Sequence, residues 1–339
     1  MTGVAVSQES ETLRRTDSRR PLIGNFGWIW IATALLFAAS ALIAPGTVRM
    51  GSLMAMLPFA SLLAIVAVGQ TLVIQQRGLD MSVVALVALG GVMAARLGTA
   101  TESVVLGTAI TVLAAGILGT INGFLVARLN IMPIVATLAS NAIFLGLVRM
   151  VSGNMVGITP VGLKSFATSY VFGLPATVLV AVLFSVVVTV VIRMTRTGRN
   201  FVIVGAAPRA ARAAGINVTF YQIGTYAVAS ICFAVAGILL AGVIGSASHL
   251  AGPDYLLPGI AAVVVGGTAF TGGKGSVVAS GVAALFMVQL AQLVLAMGAG
   301  TAGQLLVQAL AIVVATTIRH LPDLMRMLGL SGQGARSEG

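Results

Sequence analysis

The sequence has few charged residues, and this scarcity excludes a water-soluble globular protein. Only 8% of its 339 residues are charged, whereas 58% are hydrophobic and the mean hydropathy is +1.07. A soluble domain carries about 25% charged residues. The chain therefore lacks the polar side chains needed to cover a globular surface. We predict an all-α fold, a polytopic helical bundle that is integral to a membrane.

The residues of common catalytic and metal sites are scarce as well. Cys232 is the only cysteine, which excludes an intrachain disulfide and a cysteine-based metal site. The two histidines, His249 and His320, lie far apart and form no HExxH motif. No G-x-S-x-G motif occurs, and no apolar segment contains paired carboxylates. We therefore expect no catalytic residues, no metal and no directly bound cofactor.

Acidic residues are outnumbered by basic ones, and the formal net charge is +11. Such an excess fits either nucleic-acid binding or the basic cytoplasmic loops of a membrane protein. The arginines are scattered singly or lie between apolar runs, without forming a basic stripe. This distribution favours cytoplasmic loops, and we predict no nucleic-acid partner.

Long apolar runs are abundant, and we count ten segments of roughly membrane-spanning length. A basic tail, residues 1–27, precedes them and is predicted to be disordered and cytoplasmic. The membrane domain is predicted for residues 28–320, followed by a cytoplasmic tail, 321–339. The predicted spans are 28–44, 51–75, 80–97, 103–127, 132–151, 174–192, 219–245, 256–270, 276–297 and 302–318.

The charge of the connecting segments supports this topology. With ten spans and both termini in the cytoplasm, fifteen basic residues lie on the cytoplasmic side and four on the outer side. The positive-inside rule requires an excess in that direction. The outer connection at 152–173 is long enough to meet an external partner.

Residues 266–276, GGTAFTGGKGS, superficially resemble a nucleotide phosphate loop. The G-x-x-x-x-G-K-[ST] pattern needs a glycine where Thr268 stands and a hydroxyl residue where Gly275 stands. We therefore predict that these glycines form a tight turn on the cytoplasmic side instead. The turn residues are Gly272, Gly273, Lys274 and Gly275.

The cytoplasmic connection 193–218 contains five arginines and no acid. Within it, the sequence from Pro208 to Gly215 predicts a short helix, because proline suits a first helical turn and glycine a C-terminal cap. Such a helix fits a docking element for a cytoplasmic protein or an ordinary basic loop, and the spacing alone does not separate the two.

Asp80 is the only carboxylate that we place close to the membrane interior, and Arg77 lies near enough in sequence to pair with it. An acid at that depth is either functional or an N-terminal cap of the third span, and we favour the cap. The segments 78–85 (GLDMSVVA) and 272–279 (GGKGSVVA) share a pattern that indicates an internal duplication.

Several amide side chains fall inside the spans. Gln289 and Gln292 lie on one helical face, and so do Gln304 and Gln308. Six of the amides fit either a pathway for an uncharged hydroxylated solute or hydrogen bonds between helices. These candidate pathway residues are Gln289, Gln292, Gln304, Gln308, Asn122 and Asn141.

Three runs together resemble the ribose/xylose-type permease subunits of bacterial ABC importers. They are 69–95, GQTLVIQQRGLDMSVVALVALGGVMAA; 198–218, GRNFVIVGAAPRAARAAGINV; and 252–278, GPDYLLPGIAAVVVGGTAFTGGKGSVV. Their order and spacing match that family, over about residues 28–320. The resemblance implies a bacterial inner-membrane permease that dimerises with itself or with a related permease. It also implies a cytoplasmic ATPase that uses ATP and an extracytoplasmic solute-binding protein.

The resemblance also implies which residues couple the permease to its ATPase. The matching positions of the coupling segment are Gly198, Arg199, Gly205, Ala210, Ala211, Arg212, Gly215 and Ile216. Ala207 departs from the family pattern, where asparagine is usual. In the first run the family commonly has G-G-I-D-L-S-V-G; this chain keeps Gly78, Asp80 and Ser82 but has Arg77 in place of the first glycine. That departure suggests a role in substrate choice.

Overall fold

The computed structural model describes residues 26–327. Almost all of the predicted N-terminal tail, 1–27, and the end of the C-terminal tail, from residue 328, lie outside the described residues. Within the described part the chain is a bundle of thirteen α-helices. The first seven are α1 (Trp28–Ile43), α2 (Met50–Gln75), α3 (Val83–Ala100), α4 (Val104–Ala127), α5 (Pro133–Ser152), α6 (Val161–Ala167) and α7 (Ala176–Met194). The remaining six are α8 (Arg196–Ala206), α9 (Pro208–Ala213), α10 (Val218–Ile244), α11 (Leu256–Val265), α12 (Val277–Ala296) and α13 (Thr301–Met327).

The connections contain only short further elements. Two 3₁₀ turns, Pro45–Val48 and Pro253–Tyr255, precede α2 and α11. Four two-residue strands form two antiparallel pairs. They are β1 (Gly157–Ile158) with β4 (Ser246–Ala247), and β2 (Tyr170–Val171) with β3 (Leu174–Pro175).

The ten apolar segments predicted from the sequence are all helical over most of their length. Seven of the described helices are long and apolar enough to cross a membrane, namely α2, α3, α4, α5, α7, α10 and α12. Three shorter apolar helical stretches, Trp28–Ile43, Pro253–Val265 and Thr301–Val314, account for the other three. The chain is a polytopic helical membrane protein.

Two predicted boundaries are wrong, and both errors occur where a helix is broken near the cytoplasmic side. The third span was expected from residue 80, but α3 begins at Val83 because residues 78–80 form an irregular segment. The eighth was expected to reach residue 270, but α11 ends at Val265, before the pair Gly266 and Gly267. Gly267 has a φ of +93°, which is incompatible with a continuing right-handed helix.

α10 is the centre of the bundle and packs against α2, α3 and α4. Glycines make these contacts close. A Cβ atom on Gly237 of α10 would lie 1.9 Å from the carbonyl oxygen of Val87 on α3, and one on Gly119 of α4 would lie 2.5 Å from that of Tyr226. Such approaches provide the van der Waals contact that holds helices together in lipid, where no hydrophobic driving force remains.

A second group of helices surrounds α12, which packs against α1, α2, α11 and α13. α2 contacts both α10 and α12, so it joins the two halves of the bundle. α7 lies at the periphery against α2, and most of its valines face outwards. Such an apolar, exposed surface suits lipid or another membrane protein.

Candidate functional site at the cytoplasmic junction

The basic connection between α7 and α10 folds into two short helices, α8 and α9. The side chain of Thr195 caps α8 by accepting a hydrogen bond of 3.0 Å from the backbone N–H of Gly198. Pro208 begins α9, and Gly215 follows that helix with a φ of +77°. The sequence predicted α9 with these two end signals, but it did not predict α8.

The pair packs onto the bundle through a small apolar cluster and turns its charges outwards. Ala211 is completely buried against Val204 and Val218. Arg199 and Arg212, two of the predicted coupling residues, are exposed. Of the other predicted coupling residues, the structure places two small ones, Ala210 and Gly215, on the exposed surface of the pair and Ile216 half-buried beside it.

The C-terminal half of α8 is hydrogen-bonded to the chain immediately after α2. Gln76 Nε2 donates to the carbonyl oxygen of Phe201 at 2.7 Å. Arg77 Nε donates to the carbonyl oxygen of Gly205 at 2.8 Å, and Arg77 Nη2 donates to that of Ala206. The last carbonyls of a helix have no partner within it, and they carry partial negative charge that attracts a cation.

Arg77 has a left-handed backbone, with a φ of +63°. This conformation costs a side chain about 1 kcal/mol or more, whereas glycine adopts it freely, which explains why glycine is common here in the resembling family. The hydrogen bonds to α8 offset that cost. They also correct our expectation for Arg77, because its guanidinium binds the end of α8 and does not pair with Asp80.

The glycine-rich turn meets the same place. Gly272 and Gly273 have φ values of +83° and +74°, and the N–H of Gly273 donates to the carbonyl oxygen of Gln75 at 2.8 Å. A Cβ atom on Gly205 would lie 2.1 Å from that carbonyl oxygen, and one on Gly275 would lie 2.2 Å from Gln75 Nε2. Lys274, which lies between Gly273 and Gly275 in the sequence, is exposed.

Three segments that are distant in sequence therefore meet at the end of α2. We call this contact the cytoplasmic junction: the C-terminal half of α8, residues 75–77, and residues 272–275. The arginine-rich helix pair is thus in direct contact with residues 75–77 and with residues 272–275. A displacement of α8 must therefore move or break these contacts.

Asp80 lies in a buried hydrogen-bond network just before α3. Asp80 Oδ1 accepts from the backbone N–H of Ser82 at 2.8 Å and from its hydroxyl at 2.5 Å. Asn122 Nδ2 donates to the same hydroxyl at 2.9 Å, and Gln70 Nε2 donates to the backbone carbonyl of Asp80 at 2.7 Å. The N-cap residue itself is Ser82, so Asp80 supports the start of α3 from two residues upstream, not from the cap position that we expected.

The two segments of the proposed duplication share their position before a helix but differ in cap geometry: the Ser276 side chain accepts a hydrogen bond from the N–H of Ala279, whereas the Ser82 side chain makes no such cap bond. Ser82 and Ser276 are the N-cap residues of α3 and α12, and each stands immediately before a Val-Val-Ala sequence. Each helix is preceded by an irregular segment that reaches the cytoplasmic junction.

The predicted pathway amides do not form one group. Asn122 belongs to the Asp80 network, and Asn141 Oδ1 accepts from the backbone N–H of Ala85 at 3.0 Å. Gln289 is fully buried, and neither amide atom has a hydrogen-bond partner among the described residues. Gln292 and Gln304 are half-buried. Gln308 lines a cavity that lies between α2 and α13.

Sequence reasoning missed Gln75 and Gln76 as junction residues, and Gln70 as a partner of Asp80. Gln75 and Gln76 stand at the end of an apolar run, close to Gly78, and this position was the only indication in the sequence. It does not show which segment of the chain a glutamine side chain will contact. It also missed Asp254, which lines the same cavity as Gln308.

The described part of the chain is a polytopic helical bundle whose basic helix pair contacts two irregular segments between helices, an architecture that suits a membrane transport subunit. The comparison with protein families agrees. Residues 52–316 match the family described as the permease component of the branched-chain amino acid transport system. The chain belongs to this permease family and is a multi-pass protein of the inner membrane.

Individual relatives are named as sugar permeases. The chain is 30% identical over 291 residues to the ribose import permease protein RbsC of Haemophilus influenzae, covering 84% of this chain and 90% of the relative. It is 32% identical over 273 residues to the galactose/methyl galactoside import permease protein MglC of Escherichia coli K12, covering 74% and 81%. It is 32% identical over 220 residues to the D-allose transport system permease protein AlsC of the same organism, covering 64% and 68%. No solved structure matches the chain.

Proposed function

We propose that this chain is the permease subunit of an ATP-driven ABC importer that moves a monosaccharide into the cell. The cytoplasmic junction is the observation that carries the proposal, since it connects an exposed basic helix pair to the two broken helices through the bonds of Gln76, Arg77 and Gly273. An energy source outside the membrane needs such a connection to change the conformation within it.

The proposed energy source is a cytoplasmic ABC ATPase that binds and hydrolyses ATP, while this chain binds no cofactor directly. The surface that we assign to it is formed by α8 and α9 and includes the predicted coupling residues Arg199, Arg212 and Gly215. An amphipathic helix in a groove of the partner is a common way to make such a contact. Movement of α8 would then act on residues 75–77 and 272–275 together.

Other partners follow from the same proposal. An extracytoplasmic solute-binding protein delivers the solute to the outer surface. A second permease, either another copy or a related chain, completes the translocation unit, and the exposed apolar faces contact this chain or lipid. No nucleic acid takes part.

A monosaccharide is the favoured cargo because the relatives that match over most of this chain are named for ribose and galactose. The spanning helices also offer amides and almost no charges to a solute, which suits an uncharged hydroxylated molecule. The family description names branched-chain amino acids, and this observation keeps an amino acid as the second candidate. A polyol or a small signalling molecule is a further alternative within the same class of importer.

The proposal is tested by reconstituting the permease with its ATPase and binding protein in vesicles. We expect ATP-dependent accumulation of labelled D-ribose or D-galactose, no accumulation of L-leucine, and no ATP hydrolysis by the purified permease alone. Accumulation of L-leucine without any sugar would overturn the cargo. Uptake that persists without the ATPase and collapses with a protonophore would show an ion-driven secondary transporter instead.

A further inference from the structure

A cavity of about 280 Å³ lies between α2, α10, α11, α12 and α13. This volume is close to the lower end of the range for pockets that hold small ligands. Its wall combines apolar and polar side chains. They include Phe59, Ile244, Asp254, Tyr255, Met287 and Gln308.

The cavity reaches from the outer end of the bundle towards the middle of the membrane. Ile244 is the last residue of α10, whereas Phe59 lies near the middle of α2. The irregular chain after α10 returns into the bundle, because a Cβ atom on Gly252 would lie 1.8 Å from the carbonyl oxygen of Val84 in the first turn of α3. Non-helical backbone at membrane depth is tolerated only where it is buried in protein or lines a water-filled cavity.

Three polar side chains from two elements line this space. Asp254 is exposed in the 3₁₀ turn before α11, and Tyr255 follows it. On α13, Gln308 Oε1 is buried and has no hydrogen-bond partner among the described residues. An ionisable residue at membrane depth is costly and usually functional. A buried amide oxygen without a partner gains most when a ligand or water donates to it.

We propose that this outer cavity is the solute-binding site of the permease and that it takes one neutral polyhydroxylated molecule of the monosaccharide class. The proposal rests on the importer function stated above. The carboxylate of Asp254 accepts hydrogen bonds from two adjacent hydroxyl groups, and the amide of Gln308 accepts from or donates to a third. Phe59, which is partly exposed, contacts the C–H face of the sugar ring.

The composition of the cavity wall discriminates against the second cargo candidate. The described residues that line it include one acid and no base. The ammonium group of an amino acid would pair with Asp254, but its carboxylate would find no basic side chain in the wall, and an unpaired charge at membrane depth is unfavourable. A sugar brings no charge of its own, and its hydroxyl groups donate hydrogen bonds to the Asp254 carboxylate.

The position of the cavity also connects it to the energy source. Tyr255 and Asp254 immediately precede α11, whose other end, Val265, leads into the glycine-rich turn of the cytoplasmic junction. A short rigid helix thus joins the binding site to the segment that contacts Gln75.

The first test measures uptake of labelled D-ribose and D-galactose by the assembled importer in vesicles. We expect Asp254→Asn and Gln308→Leu to lower the rate about tenfold, the effect of losing one charge-assisted or otherwise buried hydrogen bond. Tyr255→Phe serves as a second variant that keeps the packing. The matched control, Glu102→Gln, neutralises an acid in an exposed outer segment away from the cavity and should retain the unmodified rate. Unmodified rates in all three cavity variants would overturn the proposed site, while the importer function would stand. Failure of the unmodified complex to accumulate any sugar would instead overturn the proposed function.

The second test examines the site without relying on transport. Asp254→Cys is treated from outside with a membrane-impermeant thiol reagent; the native Cys232 is completely buried and gives little background. The labelling rate is measured with the binding protein docked, once with D-ribose and once without sugar. We expect D-ribose to lower this rate about tenfold. Glu102→Cys should be labelled at a rate that D-ribose does not change. Absence of labelling, or labelling that D-ribose does not slow, would contradict the proposal.

Discussion

Arg77 Nε lies 2.8 Å from the carbonyl oxygen of Gly205, and this hydrogen bond connects the chain after α2 to the end of α8. The two residues are 128 positions apart in the sequence. Both belong to irregular or terminal segments at the cytoplasmic side, where one side chain spans the gap between the spanning helices and the basic helix pair. In the proposed importer, this contact lies between the surface assigned to the ATPase and the membrane domain.

Replacing Arg77 with alanine should uncouple ATP hydrolysis from transport. The variant loses both hydrogen bonds to α8 while the fold of the spanning helices is retained, so we expect sugar uptake to fall about tenfold. ATP hydrolysis by the assembled complex should fall much less. The measurement compares both rates in the same vesicles.

Arg128→Ala is the matched control for that experiment, because Arg128 is an exposed arginine at the cytoplasmic end of α4, outside the junction. Its ratio of uptake to hydrolysis should stay unchanged. An equal loss in both variants would mean that only the total positive charge on the cytoplasmic side matters.

Adding a side chain at Gly205 should disrupt the junction through steric overlap. A Cβ atom there would lie 2.1 Å from the carbonyl oxygen of Gln75, which is backbone and cannot rotate away. We expect Gly205→Ala to lower the free energy of unfolding by about 1–3 kcal/mol, the usual cost of overpacking. Thermal denaturation in detergent measures the change, with Gly224→Ala as the control because a Cβ atom at Gly224 meets nothing within 4 Å. Equal melting temperatures for the two variants would contradict this prediction.

Charge reversal at Arg212 should weaken ATPase binding without affecting membrane insertion. Arg212 is exposed on α9, while its neighbour Ala211 is buried and anchors the helix, so Arg212→Glu changes the surface and leaves the packing intact. Co-purification of the ATPase should fall about tenfold, whereas Arg128→Glu should leave it unchanged. Unchanged uptake with both Arg212→Glu and Gly215→Val would indicate that residues 193–218 serve only as a basic membrane anchor.

Substitutions of Asp80 should separate a structural role from a role in transport. Asp80→Ala leaves the N–H of Ser82 buried without its acceptor, and we expect a loss of about 1–3 kcal/mol in the free energy of unfolding. Asp80→Asn keeps an acceptor oxygen at the same place and should lose less than half as much. If Asp80→Asn is stable but abolishes sugar uptake, the negative charge itself is needed and Asp80 is a pathway residue.

Much of the architecture follows from the sequence because lipid imposes simple rules. Uninterrupted apolar length identifies the spans, and the arginines orient them, so all ten apolar segments were located before any contact was known. Pro208 and Gly215 marked the ends of α9 for an equally local reason, namely the backbone conformations that each residue prefers. Family resemblance added the prediction that residues 193–218 couple the permease to its ATPase, a prediction that no local property of those residues makes.

Only the tertiary structure decided which polar groups meet. At the cytoplasmic junction, α8 and the glycine-rich turn meet Gln75, Gln76 and Arg77, because two helical segments are interrupted at the same depth in the membrane. In the sequence, such an interruption is visible only as glycine. The sequence did not distinguish the six candidate amides from one another. In the structure, Gln289 is fully buried, Asn122 donates a hydrogen bond to Ser82, and Gln308 lines a cavity. Asp254 lies in that cavity because the chain after α10 turns back into the bundle. This return depends on the close approach of Gly252 to the backbone of α3, a contact between segments that are distant in the sequence.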